Sequence, residues 1–213
     1  KVRVDGQPAC KSGRVIDADS HLEVLGENHP FVSRGGLKLQ AALEYFNINP
    51  SGLVALDIGS STGGFSHCLI LGGADKVFAV DVGYGQLAWE LQQDSRVVSL
   101  ERTNFRHLEF ERLGETVDLV VIDVSFISLR LIFPKALEFL KPGGTLLALV
   151  KPQFEAGAAE VGKGGKVSDT AIHERVLEAL KDKALEMGFI VSGQTKSAIV
   201  GKKSGNVELF LWL

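Results

Sequence analysis

Between residues 53 and 152 the chain repeats one pattern. A continuous apolar run is followed by a helical stretch, and then by another apolar run. The runs are LVALDI (53–58), KVFAVD (76–81), RVVSLE (96–101), VDLVVID (117–123) and TLLALV within 142–152. Strands that are apolar along their whole length, rather than at every second residue, must be covered on both faces. Alternation with helices supplies that cover and leads to a parallel sheet in an α/β fold. A long helix over 170–188 follows, with Ile172, Val176, Leu180 and Ala184 in line, and then two runs, 189–200 and 206–213, with no helix between them. These last two predict a hairpin, placing one antiparallel strand at the end of the sheet.

The stretch preceding this pattern differs. Residues 1–25 read as short strands, with a turn at the end of KVRVDGQ. Residues 26–36 read as a linker punctuated by Gly26, Pro30, Gly35 and Gly36. Residues 37–213 form the main domain, which opens with a helix over 37–46. The net charge of −3 provides no overall basic field for nucleic acid, so any such contact must be local. No apolar run reaches the length of a membrane span, and the chain shows no signal-peptide core. Cys10 and Cys68 are far apart and give no disulfide framework, which fits a cytoplasmic protein.

The sharpest local motif is LDIGSSTGGFS, at 56–66: a strand, a glycine-rich turn and the start of a helix. In parallel sheets ligands sit beyond the carboxyl ends of strands, where strand order reverses. A dinucleotide fingerprint requires G-x-G-x-x-G, but here Ser61 stands where the second glycine belongs, and the spacing is G-x-x-x-G-G. Asp57 before the turn disfavours a pyrophosphate and favours an ammonium. Asp81, at the end of the next apolar run, is placed to accept ribose hydroxyls. A ligand with an amino-acid end and a ribose end is S-adenosylmethionine. The competing reading of both acids is helix N-capping.

Seven segments then bear on family: LDIGSSTGGFS, AVDVGYGQLAW, ERTNFRHL, DLVVIDVSFISL, LKPGGTLLALVKPQFEAG, VGKGGKV and GNVELFLWL. In this order they resemble the TlyA-type rRNA 2′-O-methyltransferases, relatives of the FtsJ methyltransferases that often carry a haemolysin label. The resemblance spans essentially the whole chain. It implies a Rossmann-like, S-adenosylmethionine-dependent methyltransferase fold, with seven mostly parallel strands and an antiparallel last strand. It also implies transfer to cytidine ribose in ribosomal RNA, with ribosomal subunits as partners and no metal. For the cofactor it implies Asp57, Gly59, Ser60, Ser61, Thr62, Gly63, Gly64 and Phe65, then Asp81, Val82 and Asp123; Asn104, after the third run, is placed to reach the adenine, with a turn or cap asparagine as the competing reading.

Methyl transfer to a ribose hydroxyl needs positioning and removal of a proton from a weakly acidic alcohol. Three charges lie at or in apolar strands and need partners there: Asp123, Lys151 and Glu208. Structural ion pairing is the competing reading. Lys38, taken alone, reads as a solvated helix lysine. The resemblance implies a Lys38–Asp123–Lys151–Glu208 tetrad. In it Lys151 deprotonates the 2′-hydroxyl, Asp123 positions Lys151, and Lys38 and Glu208 complete the charge network. Arg34, Lys163 and Lys166 are the candidate RNA contacts, and residues 1–25 resemble the distal part of a small ribosomal-protein-like RNA-binding module. Two other readings compete with catalysis: a membrane-active haemolysin, and a non-catalytic partner in ribosome assembly.

Overall fold

The computed structural model describes residues 2–9, 13, 15–24, 29–201 and 205–213. The chain divides into two compact units, Lys1–Pro30 and Phe31–Leu213. Cys10 and Gly26 lie outside the described residues.

The first unit is a small antiparallel sheet of β1 (Val2–Val4), β2 (Gln7–Pro8) and β3 (Leu22–Val24), in the order β2-β1-β3. Asp5 and Gly6 both have positive φ, +50° and +78°, as the two-residue turn of a hairpin demands. The Asp5 carboxylate accepts from the His21 N–H at 2.8 Å, which ties the turn to the residue before β3.

The second unit opens with α1 (Gly35–Phe46), followed by β4 (Val54–Ile58), α2 (Gly64–Leu71), β5 (Lys76–Val80), α3 (Trp89–Gln92) and β6 (Val97–Leu100). Then come β7 (Val117–Ile122), α4 (Phe133–Phe139), β8 (Leu140–Val150), α5 (Pro152–Glu155), α6 (Thr170–Glu186), β9 (Gly193–Lys196) and β10 (Leu209–Trp212). They form one seven-stranded sheet in the order β6-β5-β4-β7-β8-β10-β9. Pairing is parallel from β6 through β8, and β10 runs antiparallel to both β8 and β9. The chain travels outward from β4 to β6 and returns to β7 on the other side of β4. That reversal opens a crevice beyond the ends of β4, β5 and β7.

Burial explains the unbroken apolar runs. In β7, Val120 and Ile122 face a core with Phe133, Phe139 and Leu180, while Leu119 and Val121 face a second core with Leu39, Leu43 and Leu69. Alternate side chains serve opposite faces, so every position must be apolar.

Four expectations need correction. The antiparallel strand is not at the edge of the sheet: β10 inserts between β8 and β9, because its run 209–212 is more apolar than 193–196 and takes the buried slot. The 189–200 run yields only the four residues of β9. The helical stretch expected between the apolar runs 76–81 and 96–101 is only the single turn of α3, since Gly83–Leu87 form a loop instead. Residues 31–36 are not linker. Phe31 is buried in the second core, and a Cβ on Gly36 would stand 2.2 Å from the Phe31 ring.

Candidate active site

The turn after β4 is built by close approaches. Gly59 has φ +86°, and a Cβ there would lie 2.5 Å from the Asp123 carbonyl oxygen. Gly63 has φ +91° and would strike Leu91. A Cβ on Gly64 would come within 3.1 Å of both Gly36 N and Gly35 Cα, so its absence lets α1 and α2 start side by side. Phe65 is buried and stacks on Phe210 with centroids 6.1 Å apart, which makes it a core residue.

Asp57 is not at the ligand surface. It is 0% exposed, and one carboxylate oxygen accepts from Ser66 N–H at 2.9 Å and Ser66 O–H at 2.6 Å. Burial pushes its carboxyl up to about 7. The charges of Asp123 and Asp81 add to the rise, and the Ser66 hydrogen bonds oppose it. Its position braces the first turn of α2 and offers no direct pairing with a ligand ammonium. The expected ammonium contact is corrected on that ground. The apolar neighbours that made LVALDI a strand also enclose its acid.

A cleft of about 300 Å³ opens beyond β4, β5 and β7. Of the expected residues, Gly59, Ser61, Asp81, Val82, Asn104 and Asp123 line it, whereas Asp57, Ser60, Thr62, Gly63, Gly64 and Phe65 do not. Asp81 accepts from Ser61 N–H and Gly83 N–H, both at 2.7 Å, and so fixes the two loops that flank it. Asn104 lines the cleft and also caps the 3₁₀ turn Phe105–His107, accepting from Arg106 N–H at 3.2 Å. Glu101 accepts from the N–H groups of Gly85, Gln86 and Leu87 at 3.0, 3.1 and 3.4 Å. Those bonds, Gly85 first, hold its carboxyl below the usual range.

The four charged residues form two ion pairs. Lys151, one residue beyond β8, pairs with Asp123, one residue beyond β7, and its Nζ also donates to Ser125 Oγ at 3.1 Å. Lys38 of α1 pairs with Glu208 at 2.5 Å, with side chains 13% and 4% exposed. The antiparallel register ends at Leu209↔Val150, so Glu208 and Lys151 are each the next residue beyond the paired strands. One pair, Lys151–Asp123, borders the cleft through Asp123 and Ser125, and the other, Lys38–Glu208, joins α1 to the residue before β10.

The profile of the FtsJ-like methyltransferase family matches residues 31–213. The chain belongs to the FtsJ-like methyltransferases. It is 48% identical over 204 residues to YqxC of Bacillus subtilis (strain 168), named as a candidate rRNA methyltransferase, covering 95% of this chain and 72% of that one. It is 47% identical over 214 residues to the 16S/23S rRNA (cytidine-2'-O)-methyltransferase TlyA of Mycobacterium tuberculosis (strain ATCC 25618 / H37Rv), covering 100% and 80%. A solved structure of a candidate hemolysin from Streptococcus thermophilus superposes with TM-score 0.86 at 44% identity, covering 99% of this chain and 77% of that one.

In this FtsJ-like domain the cleft also contains residues that sequence reading missed: Gln86, Thr103, Val124, Ser125, Phe126 and Ile127. Phe126 is 90% exposed and has φ +64°, the left-handed region that bulky residues avoid. An apolar VSFI directly after a strand-end acid was the available signal. Arg34 stands half-buried just before α1. Lys163 and Lys166 are exposed in the loop between α5 and α6, where a bridge pairs Gly162 with Lys166. Among the described residues no helix is long and apolar enough to cross a membrane.

Proposed function

We propose that this chain transfers a methyl group from S-adenosylmethionine to the ribose 2′-oxygen of cytidine in ribosomal RNA. One observation carries the reading: the Lys151–Asp123 pair stands at the strand tips bordering the ligand cleft, where Ser125 also accepts from Lys151. The TlyA relative, matched along the whole chain, is named for the same reaction. The reading places the protein in the cytoplasm, where ribosomes are.

The cleft fits the cofactor. Half-buried Asp81 would take ribose hydroxyls, and Val82, Asn104 and Phe105 would border the base. Gly59 keeps the backbone of the first turn open at the other end. When bound, S-adenosylmethionine supplies a methyl group on a sulfonium, already activated for displacement.

The protein's work is to hold the ribose and receive its proton. Asp123 and Ser125 fix the direction of Lys151 Nζ. With its amine neutral, Lys151 accepts the 2′-hydroxyl proton at Nζ as the oxygen takes the methyl, and Asp123 stabilises the resulting ammonium. Such proton transfer contributes roughly 10²–10⁴-fold. Arg34, Lys163 and Lys166 would bind RNA phosphates, and the small sheet of the first unit would be a separate RNA-binding module.

The test is incubation with labelled S-adenosylmethionine and separate small and large ribosomal subunits, followed by mapping of ribose methylation. Transfer by wild type, its loss in Lys151→Ala and retained cofactor binding are the expected results. A Lys151→Ala variant that still methylates refutes the assignment of the base.

A further inference from the structure

We infer that Glu155 is a positioning residue for methyl transfer, clamping the segment that follows Asp123 to the segment that follows Lys151. The inference rests on the methyl-transfer reading above. Glu155 ends α5, four residues beyond Lys151. Its two oxygens reach across to the other strand's loop. Ser128 Oγ donates to Oε2 at 2.6 Å, and Leu129 N–H donates to Oε1 at 2.7 Å. The Ser128 hydroxyl in turn accepts from Arg130 N–H at 3.2 Å, capping the 3₁₀ turn Leu129–Leu131.

Between Asp123 and this anchor lie the residues that face the reaction. Ser125 accepts from Lys151 Nζ. Phe126 holds a left-handed backbone (φ +64°), with its ring 4.9 Å from that of Phe154, the neighbour of Glu155. A bulky residue keeps such a conformation only where its surroundings over-determine it. Here the Asp123–Lys151 pair fixes one end of the segment, the Glu155 clamp fixes the other, and Phe154 supports the middle. A carboxylate is well suited, since it presents two acceptors to two donors of one turn. Burial raises the Glu155 carboxyl, against the bonds from Ser128 and Leu129 and the nearby Arg130 charge. A neutral, isosteric acceptor therefore suits the site. Glutamine keeps an acceptor for Leu129 and offers an N–H to the Ser128 oxygen.

The experiment compares wild type, Glu155→Ala, Glu155→Gln and Ser128→Ala. The readouts are single-turnover methylation at saturating S-adenosylmethionine and ribosomal subunits, cofactor affinity, and amide exchange at Leu129. An ångström-scale displacement of a reacting group lowers rate by about 100-fold, so Glu155→Ala should slow transfer by about 10- to 100-fold while cofactor affinity moves by less than about threefold. Glu155→Gln should restore most of the rate, Ser128→Ala should fall between, and Leu129 exchange should rise in Glu155→Ala alone. Wild-type transfer in Glu155→Ala overturns the inference. So does a loss of rate explained by weaker cofactor binding, or one that Glu155→Gln fully shares. If wild type itself transfers no methyl, the methyl-transfer reading fails instead, and unchanged Leu129 exchange in Glu155→Ala would then refute the clamp on its own.

Discussion

Asp57→Asn should turn a pH-dependent protein into a less pH-dependent one. Asp57 is fully buried, and its carboxyl is raised from 3.8 to about 7, first by desolvation and then by the charges of Asp123 and Asp81. A folded-state pKa above the unfolded one means that the folded protein holds a proton the unfolded chain has released. The stabilisation from this group is complete below pH 3.8 and is lost as pH rises through about 7. Each unit is worth 1.36 kcal/mol, so the two units from pH 5 to 7 amount to roughly 2–3 kcal/mol. Asparagine mimics the neutral acid. Its carbonyl can accept both Ser66 donors, while its amide occupies the place of Oδ1, which has no hydrogen-bond partner among the described residues. That misfit costs roughly 1–3 kcal/mol at every pH. The informative quantity is therefore the difference between wild type and variant as a function of pH. Urea unfolding of both proteins at pH 5 and pH 8, without cofactor, should show that difference moving by roughly 2–3 kcal/mol in favour of the variant at the higher pH. A difference that stays constant across this range refutes the account of Asp57 as a buried, largely protonated brace.

Other substitutions test the ion pairs and the turn. Lys38→Ala strands the Glu208 carboxylate, 4% exposed, and should cost roughly 3 kcal/mol in chemical denaturation. Adding Glu208→Gln should recover a good part of that loss, and strictly additive effects would show that the two groups do not interact. Gly59→Ala must hold φ +86° and push against the Asp123 carbonyl. It should lose about 2 kcal/mol or more of stability and weaken cofactor binding by calorimetry. Asp81→Ala frees the Ser61 and Gly83 N–H groups and removes the proposed ribose acceptor, so cofactor affinity should fall by about 10-fold or more; unchanged affinity would remove Asp81 from the proposed cofactor site.

The parallel order of the sheet was legible because doubly buried strands must be apolar throughout, as β4 and β7 are. The strand-end acids Asp81 and Asp123 were legible because a charge closing such a run is conspicuous. Burial misled the reading at Asp57, since period and composition do not say whether the last acid of a strand looks outward or into the protein. Phe126 and Ile127 were passed over for the converse reason: apolar residues after a strand read as core, and here they border an open cleft.

By itself the sequence determined the alternation of strands and helices, the glycine turn after the first strand of the main sheet, and the motifs shared with the FtsJ-like family. Only the tertiary structure decided which charges meet. Lys38 and Glu208 are 170 residues apart and come within 2.5 Å because α1 packs on the face where β10 has entered the sheet. Asp123 and Lys151 pair because β7 and β8 are neighbours: Ile122, at the end of β7, is paired with Ala148, and Lys151 follows just past the end of β8. Hydrophobic periodicity fixes the face a residue takes within its own element. Pairing between elements depends on which strand wins the buried slot, and that is settled by the packing of the whole sheet.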